Sequence, residues 1–180
     1  MKKQYLILHG ITIAVIIFAW IFFSARTMKV VYVDNGVLMS KYEGMKDAQA
    51  EYEKKAAVWQ ANADTLISEW QNELKVYEKE RSRMSAKERE LKEQLLSNRQ
   101  QQISQYQEAV QLKAEEEEQK MTQTVLNEVN DYLKEYGEKH NYTFILGATG
   151  VGNIVYAKKT RDITEEILNG LNKIYQKGRK

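Results

Sequence analysis

The chain contains no cysteine and no proline. Without cysteine there can be no disulfide, no thiol nucleophile and no thiolate metal site. Without proline nothing in the covalent structure interrupts a helix, which suits a chain built mainly of long ones. A charge excess of one sign is also lacking, because 27 basic side chains stand against 25 acidic ones for a net of +2. A dedicated nucleic-acid binder presents a strongly basic face, so no nucleic-acid partner is expected. At 180 residues there is room for one domain and an anchor.

One long hydrophobic run is present. "LILHGITIAVIIFAWIFF", residues 6–23, carries no charge over 18 residues. At about 1.5 Å per residue it spans roughly 27 Å, close to the hydrocarbon thickness of a bilayer. A cleaved signal peptide has a shorter apolar core and small residues at A-x-A spacing, whereas this run ends "FFSAR". Residues 1–28 are therefore read as an uncleaved signal anchor, a single transmembrane helix, with a cleaved signal as the alternative. Lys2 and Lys3 nearly balance Arg26 and Lys29, so flanking charge leaves its orientation open.

Residues 29–43 follow as a strand, "KVVYVD", then a loop and a short helical turn. From Met45 apolar or small residues return every three or four positions through Ala48, Tyr52, Ala56, Trp59, Ala63, Leu66, Trp70 and Leu74 to Tyr77. That period marks one continuous helical stripe. The stripe fades at Arg81, and Ser85 is then followed three residues later by Glu88. This is the capping-box pattern of a new helix start, in which each side chain satisfies the other's free backbone N–H. A second stripe follows: Leu91, Leu95, Tyr106, Val110, Ala114, Met121, Val125, Val129, Leu133 and Tyr136. Residues 44–137 are accordingly expected to form a helical hairpin with its tip near 82–86. Its arms would be about 60 and 78 Å long, returning the chain beside its first strand.

Residues 138–180 hold two further strand signals, "YTFIL" and "IVYA", joined by the glycine-rich "GATGVG". The spacing predicts a β-hairpin. The closing "RDITEEILNGLNKIYQ" is an amphipathic helix with Asp162 or Thr164 as its N-cap. The fold class is thus α+β, a coiled-coil hairpin arm on a small β body. The body outside the arm is too small to bury much core, and three strands leave open edges, so self-association is expected.

Candidate chemistry is sparse. "GATGVG" lacks the Gly-Lys-Ser/Thr ending and leads into a strand, so it reads as a turn and not a phosphate loop. His140 has no cysteine or second histidine beside it, and no metal is expected. "EEEE", residues 115–118, wraps around one helical turn and reads as a solvated face. "NRQQQISQYQ", residues 98–107, gives the returning helix a polar, loosely packed seam. The tip, residues 75–99, carries eight basic against five acidic side chains, while 44–137 carries fourteen against nineteen. The positive end of the arm could meet anionic lipid or acidic polypeptide. No cofactor and no enzymatic constellation are expected.

The order of these parts resembles the Skp/OmpH family of periplasmic chaperones for outer-membrane proteins. The resemblance is carried by "VVYVD", by "GVLMSKYEGMKDAQAEYE" and, most specifically, by "YTFILGATGVGNIVYAKKTRDITEEILNGLN". It implies a homotrimer whose strands form a barrel and whose three arms enclose unfolded β-barrel precursors, without ATP. It also implies the Gram-negative periplasm, with the N-terminus cytoplasmic. Members of the family are typically soluble after signal removal, so an anchor retained in the inner membrane is a departure from them, and a soluble periplasmic chain is the alternative if the signal is cleaved. Tyr52, Trp59, Trp70, Tyr77 and Met84 are then possible client contacts, with packing of the two arm helices as their plainer role. Lys79, Arg81, Arg83, Lys87 and Arg89 form the basic tip. Val31, Val33, Phe144, Leu146, Ile154, Tyr156, Ile167 and Leu171 are the expected body and oligomer core. A membrane-anchored coiled-coil scaffold is the competing class, although a plain stalk has no need of the closing strands and last helix.

Overall fold

The structure, a computed structural model, describes residues 28–150 and 152–179, together with Ile13 and residues 15–18. The expected anchor otherwise lies outside the described residues. Among the described residues no helix is long and apolar enough to cross a membrane.

The elements in order are β1 (Val30–Asp34), α1 (Asn35–Lys41), α2 (Glu43–Glu80), α3 (Ala86–His140), β2 (Phe144–Ala148) and α4 (Thr164–Gly178). Two 3-10 turns complete the order: Arg81–Arg83 extends α2, and Lys159–Arg161 precedes α4. The chain divides into two compact units. One comprises Met1–Leu38 and Tyr132–Asn169, the other Met39–Asp131 and Gly170–Lys180.

The first unit is organised by β1. Its buried residues alternate, with Val31 and Val33 inside, as a half-buried strand requires. β2 lies beside it in parallel, with Val30 opposite Phe144 and Asp34 opposite Ala148. On its other edge Tyr32 bridges Asp162, and Ile163 donates its N–H to the Tyr32 carbonyl at 3.0 Å. Val33, Leu38 and Ile167 are almost fully buried, with Ile163 and Leu168 also inside. The end of β1 is tied to the start of α4 through one hydroxyl. Thr164 Oγ1 accepts from the Asp34 N–H at 2.8 Å and donates to Asp162 Oδ1, which also accepts the Thr164 N–H at 2.9 Å. Burial works to raise the Asp162 carboxyl, but the two Thr164 bonds together with the Tyr32 bond and the Lys159 charge outweigh it and hold it below its ordinary value. At Gly137 a Cβ would come within 3.3 Å of the Ile145 side chain, so the last turns of α3 pack closely on β2. Asn141 ends α3 with φ 55°, the left-handed conformation that asparagine tolerates after a helix.

The expected β-hairpin is corrected here. β2 pairs with β1 in parallel, and residues 154–157 form no strand. Parallel pairing follows from the connection, because a long crossover returns the chain to the end of the sheet where β1 began. The loop after β2 closes on itself through one side chain. Asn153 donates to the Gly147 carbonyl and accepts from the Thr149 N–H at 2.7 Å, so the backbone does not run back as a ladder. The stretch after β1, read as a loop and a short helical turn, is helical over seven residues as α1.

The second unit is the antiparallel pair of α2 and α3. The capping box forms as expected at the reversal. The Ser85 N–H donates to Glu88 Oε2 at 2.8 Å, and the Glu88 N–H to Ser85 Oγ at 3.3 Å. These bonds hold the Glu88 carboxyl below its ordinary value. They also explain how the chain turns without glycine, since side chains supply the partners a positive-φ turn would otherwise provide.

Candidate functional site

The seam between α2 and α3 carries the aromatic stripe. Starting from the turn, the buried Tyr77 donates to Glu93, and that bond, with burial second, pushes its phenol up. Arg81 reaches the same carboxylate at 3.8 Å. Half-buried Trp70 gives its indole N–H to the Leu96 carbonyl at 3.0 Å. Arg99 spans two α2 carboxylates one turn apart, Glu69 at 3.1 Å and Glu73 at 2.9 Å. Further along, the Lys113 ammonium lies 5.1 Å from the centre of the half-buried Trp59 ring. Lys55 meets Glu117 at 2.9 Å and, by bond and charge, draws that carboxyl down.

Apolar burial along the seam is discontinuous. Ala63 and Tyr77 on α2, and Leu96, Ile103, Val125 and Val129 on α3, are its buried members in this unit. Between Ile103 and Val125 no residue of α3 is buried. The polar seam expected over 98–107 therefore contains a buried isoleucine, and the loosely packed stretch lies just beyond it. The second stripe is corrected by one position near its start. Leu96 is buried, while Leu91 and Leu95 are exposed. The bonds of Tyr77 to Glu93 and Trp70 to Leu96 set this phase.

At the foot of α2, Tyr42 precedes the helix in extended conformation and its side chain caps nothing. The cap comes from elsewhere in the sequence, since the Glu43 N–H donates to Asn172 Oδ1 of α4 at 2.9 Å. Gln176 donates to both Glu43 oxygens, and Tyr175 donates to Asp47 Oδ2 at 3.0 Å, where Arg179 also binds. The Tyr42 ring folds back over Gly44 and meets Tyr175 edge to face at 5.7 Å. Its hydroxyl donates to Glu128 at 3.3 Å. Burial, then the Glu128 charge, pushes the Tyr42 phenol up to about 12. Tyr52 lines a cleft of about 350 Å³ above this junction, beside Glu51, Lys55 and Met121.

The sequence-level candidates are thus distributed as follows. Trp59, Trp70 and Tyr77 are engaged between the helices, Tyr52 lines the cleft, and Met84 is half-buried in the turn. Lys79, Arg81, Arg83, Lys87 and Arg89 are all exposed around the turn. Val31, Val33, Ile167 and Leu171 are buried within the chain, whereas Phe144, Leu146 and Tyr156 are exposed and Ile154 is half-exposed. Arg99, Asn172, Tyr175 and Arg179 were not singled out by sequence. Glu69 and Glu73 at helical i, i+4 spacing were the available signal for Arg99, and nothing local signals a cap donated from 129 positions away. His140 is exposed and stacks on Tyr136 at 4.1 Å. Among the described residues no group of side chains could hold a metal ion.

Two long antiparallel helices closed by a capped turn, with a short parallel strand pair, define the class: a mostly helical hairpin protein with a small sheet. A family model described as outer membrane protein (OmpH-like) matches residues 29–171, and the chain belongs to the OmpH/Skp-like family of chaperones for outer-membrane proteins, which is not a family of enzymes. A crystal structure of an OmpH-like protein of Caulobacter crescentus CB15, described as an outer membrane chaperone, shares the fold with a TM-score of 0.74. It is 16% identical, and the match covers 82% of this chain and 85% of that one. No curated protein matches.

Proposed function

We propose that this protein is an ATP-independent periplasmic holdase that shields unfolded outer-membrane proteins inside a homotrimeric, three-armed cage. Membership of the chaperone family supports the activity. One structural observation supports the assembly: the single chain leaves apolar surface open beside its sheet. Val155 is 94% exposed and Tyr156 82%, and Phe144 and Leu146 are exposed on β2. A groove of about 420 Å³ there is lined by Val30, Tyr32, Leu146, Ile154 and Tyr156. Exposed β-branched and aromatic side chains beside an open strand edge favour strand-to-strand association with further copies. The apolar run of residues 6–23 is read as holding the assembly at the inner membrane, with residues 29–180 in the periplasm.

Native mass spectrometry of the full chain in detergent, alone and with a urea-unfolded barrel protein, tests this reading. The expected species is three times the 21.0 kDa of one chain, gaining one client. A monomer or dimer indifferent to the client overturns it, leaving a membrane-anchored coiled-coil scaffold as the alternative.

A further inference from the structure

Five residues, 24–28, separate the apolar run of residues 6–23 from Lys29. A fully extended chain covers at most about 3.6 Å per residue, so Lys29 lies no more than roughly 22 Å from Phe23. Whatever surrounds Lys29 is therefore held close to the bilayer that the run enters. Lys29 immediately precedes β1, and it is tied to the chain leaving α3. The Thr143 N–H donates to the Lys29 carbonyl at 2.8 Å, and the Lys29 N–H donates to Thr143 Oγ1 at 3.2 Å. The end of α3 and the starts of both strands thus share one pole of the first unit.

This pole is aromatic and basic. His140 stacks on Tyr136 at 4.1 Å, and the Tyr142 ring lies 6.0 Å from His140 and nearly parallel to it. Tyr136 is buried, Tyr142 half-buried and His140 exposed, so the stack runs from the interior to the surface. Met28 is 71% exposed and lines the groove beside the sheet together with Lys158 and Arg161. Lys29, Lys139, Lys158, Lys159 and Arg161 are all exposed. The carboxylates among them are exposed Glu138 and Asp162, and Asp162 already accepts two bonds from Thr164. One turn further back on α3, exposed Glu135 is offset by its exposed neighbour Lys134. Positive charge is therefore in excess at the pole.

We infer that this pole seats on the surface of that same bilayer, its cations against anionic lipid headgroups and Met28 and Tyr142 at headgroup level. The inference rests on reading residues 6–23 as a membrane anchor and goes beyond it, because an anchor alone leaves the body free to turn on its tether. An anionic lipid surface attracts basic side chains held beside it, and the attraction falls away within a Debye length. A tyrosine ring, apolar in its body and polar at its tip, suits the membrane–water boundary. The five-residue tether keeps the pole at high effective concentration over the lipid, so contacts too weak to recruit a free protein suffice to orient a tethered one.

The test uses the full chain in lipid nanodiscs. Because the chain has no cysteine, one substitution places a fluorophore at a chosen point. Thr143→Cys puts it at the pole and keeps the main-chain bond to Lys29, while Gly150→Cys puts it beyond the other end of β2, about 17 Å away along the strand. With phosphatidylglycerol discs carrying a headgroup-linked quencher, quenching at position 143 is expected to be at least threefold that at 150. The difference should shrink in added salt and in discs of phosphatidylcholine. The triple variant K29E/K139E/K158E is expected to remove it with unchanged helicity, and K173E, at an exposed lysine of α4, to leave it intact. Release of the full chain from vesicles by alkaline carbonate sinks the anchor reading itself. Retention with equal quenching at the two positions, a difference unchanged by K29E/K139E/K158E or by phosphatidylcholine, or an equal loss in K173E overturns the seating of the pole alone.

Discussion

Trp70 on α2 donates its indole N–H to the main-chain carbonyl of Leu96 on α3, 3.0 Å away. The acceptor belongs to the backbone of the partner helix, so the bond fixes how far the two helices slide past each other, whatever side chain stands at position 96. Trp70→Phe keeps an aromatic ring and removes the donor. The Leu96 carbonyl keeps its helical partner, so the expected loss is about 1 kcal/mol of stability. Trp70→Ala empties a half-buried site and is expected to lose about 2 kcal/mol. Urea unfolding followed by circular dichroism measures both, and equal values for the two variants would show that the ring matters and the N–H does not.

The turn rests on a reciprocal pair. Ser85→Ala removes the hydroxyl that accepts the Glu88 N–H and is expected to destabilise the start of α3 by about 1 kcal/mol. Glu88→Gln, which retains an acceptor oxygen, should perturb it less. The Glu88 carboxyl is held below its ordinary value, so its contribution is full above that value and fades as pH falls through the lowered one. Hydrogen exchange at residues 86–90 between neutral and acidic pH reads this directly, and a flat profile would refute it.

Gly44→Ala sets two effects against each other. Alanine is the better helix former by about 1 kcal/mol. Its Cβ would lie 2.5 Å from the Tyr42 ring, however. To relieve the overlap the ring must move, giving up the bond to Glu128 and the contact with Tyr175. The expected net result is a loss of about 1 kcal/mol, overpacking outweighing propensity. A gain in melting temperature would mean the ring moves freely.

The same tyrosine gives an alkaline signature. A phenol raised from 10.0 to about 12 stabilises the fold in its neutral form. Its contribution is complete below pH 10 and is lost as pH rises from 10 toward 12. Ultraviolet titration of tyrosinate should show several late-ionising groups, Tyr136 among them. The one that moves back part of the way in Glu128→Gln is Tyr42, burial, the larger cause, holding the remainder of its shift.

Thr164→Val removes the hydroxyl between Asp34 and Asp162 while nearly preserving shape. The Asp34 N–H then loses its acceptor beside a buried site, for an expected loss of about 1–3 kcal/mol. Because Asp162 is held low by Thr164, its stabilisation is present above the ordinary carboxylate value of about 4 and disappears as pH falls through the lowered one. The variant keeps the backbone N–H that Asp162 also accepts, so it should weaken that acid dependence along with the stability.

Periodic and local features were legible in the sequence, and pairings between residues distant along the chain were not. The faded stripe at Arg81 and the Ser85–Glu88 spacing located the turn, because a capping box is a local device written in adjacent residues. The phase of α3 was misjudged at Leu91 and Leu95, since Leu95 and Leu96 both suit a seam and only the bonds to Glu93 and Leu96 choose between them. The segment Ile154–Ala157 has strand composition but no strand partner, because β propensity expresses packing against neighbours and the single chain offers none. The cap that Asn172 supplies to α2 has no local signature at all.

The parallel register also fixes an order of events. Lys29 and Thr143, joined at 3.2 Å beside the strand pair, stand 114 positions apart. Closing so long a loop in a disordered chain opposes pairing by about 4 kcal/mol before any contact is made. The two helices, by contrast, grow from neighbouring residues, and their turn takes up only a few. Helix formation therefore comes first and shortens the effective loop, and β1 waits unpaired until synthesis has passed residue 148. Whatever the strands assemble with later, the chain must spend its early life as a finished hairpin with an unfinished sheet, so a pulse of hydrogen exchange during refolding should find α2 and α3 protected well before Val31 and Val33.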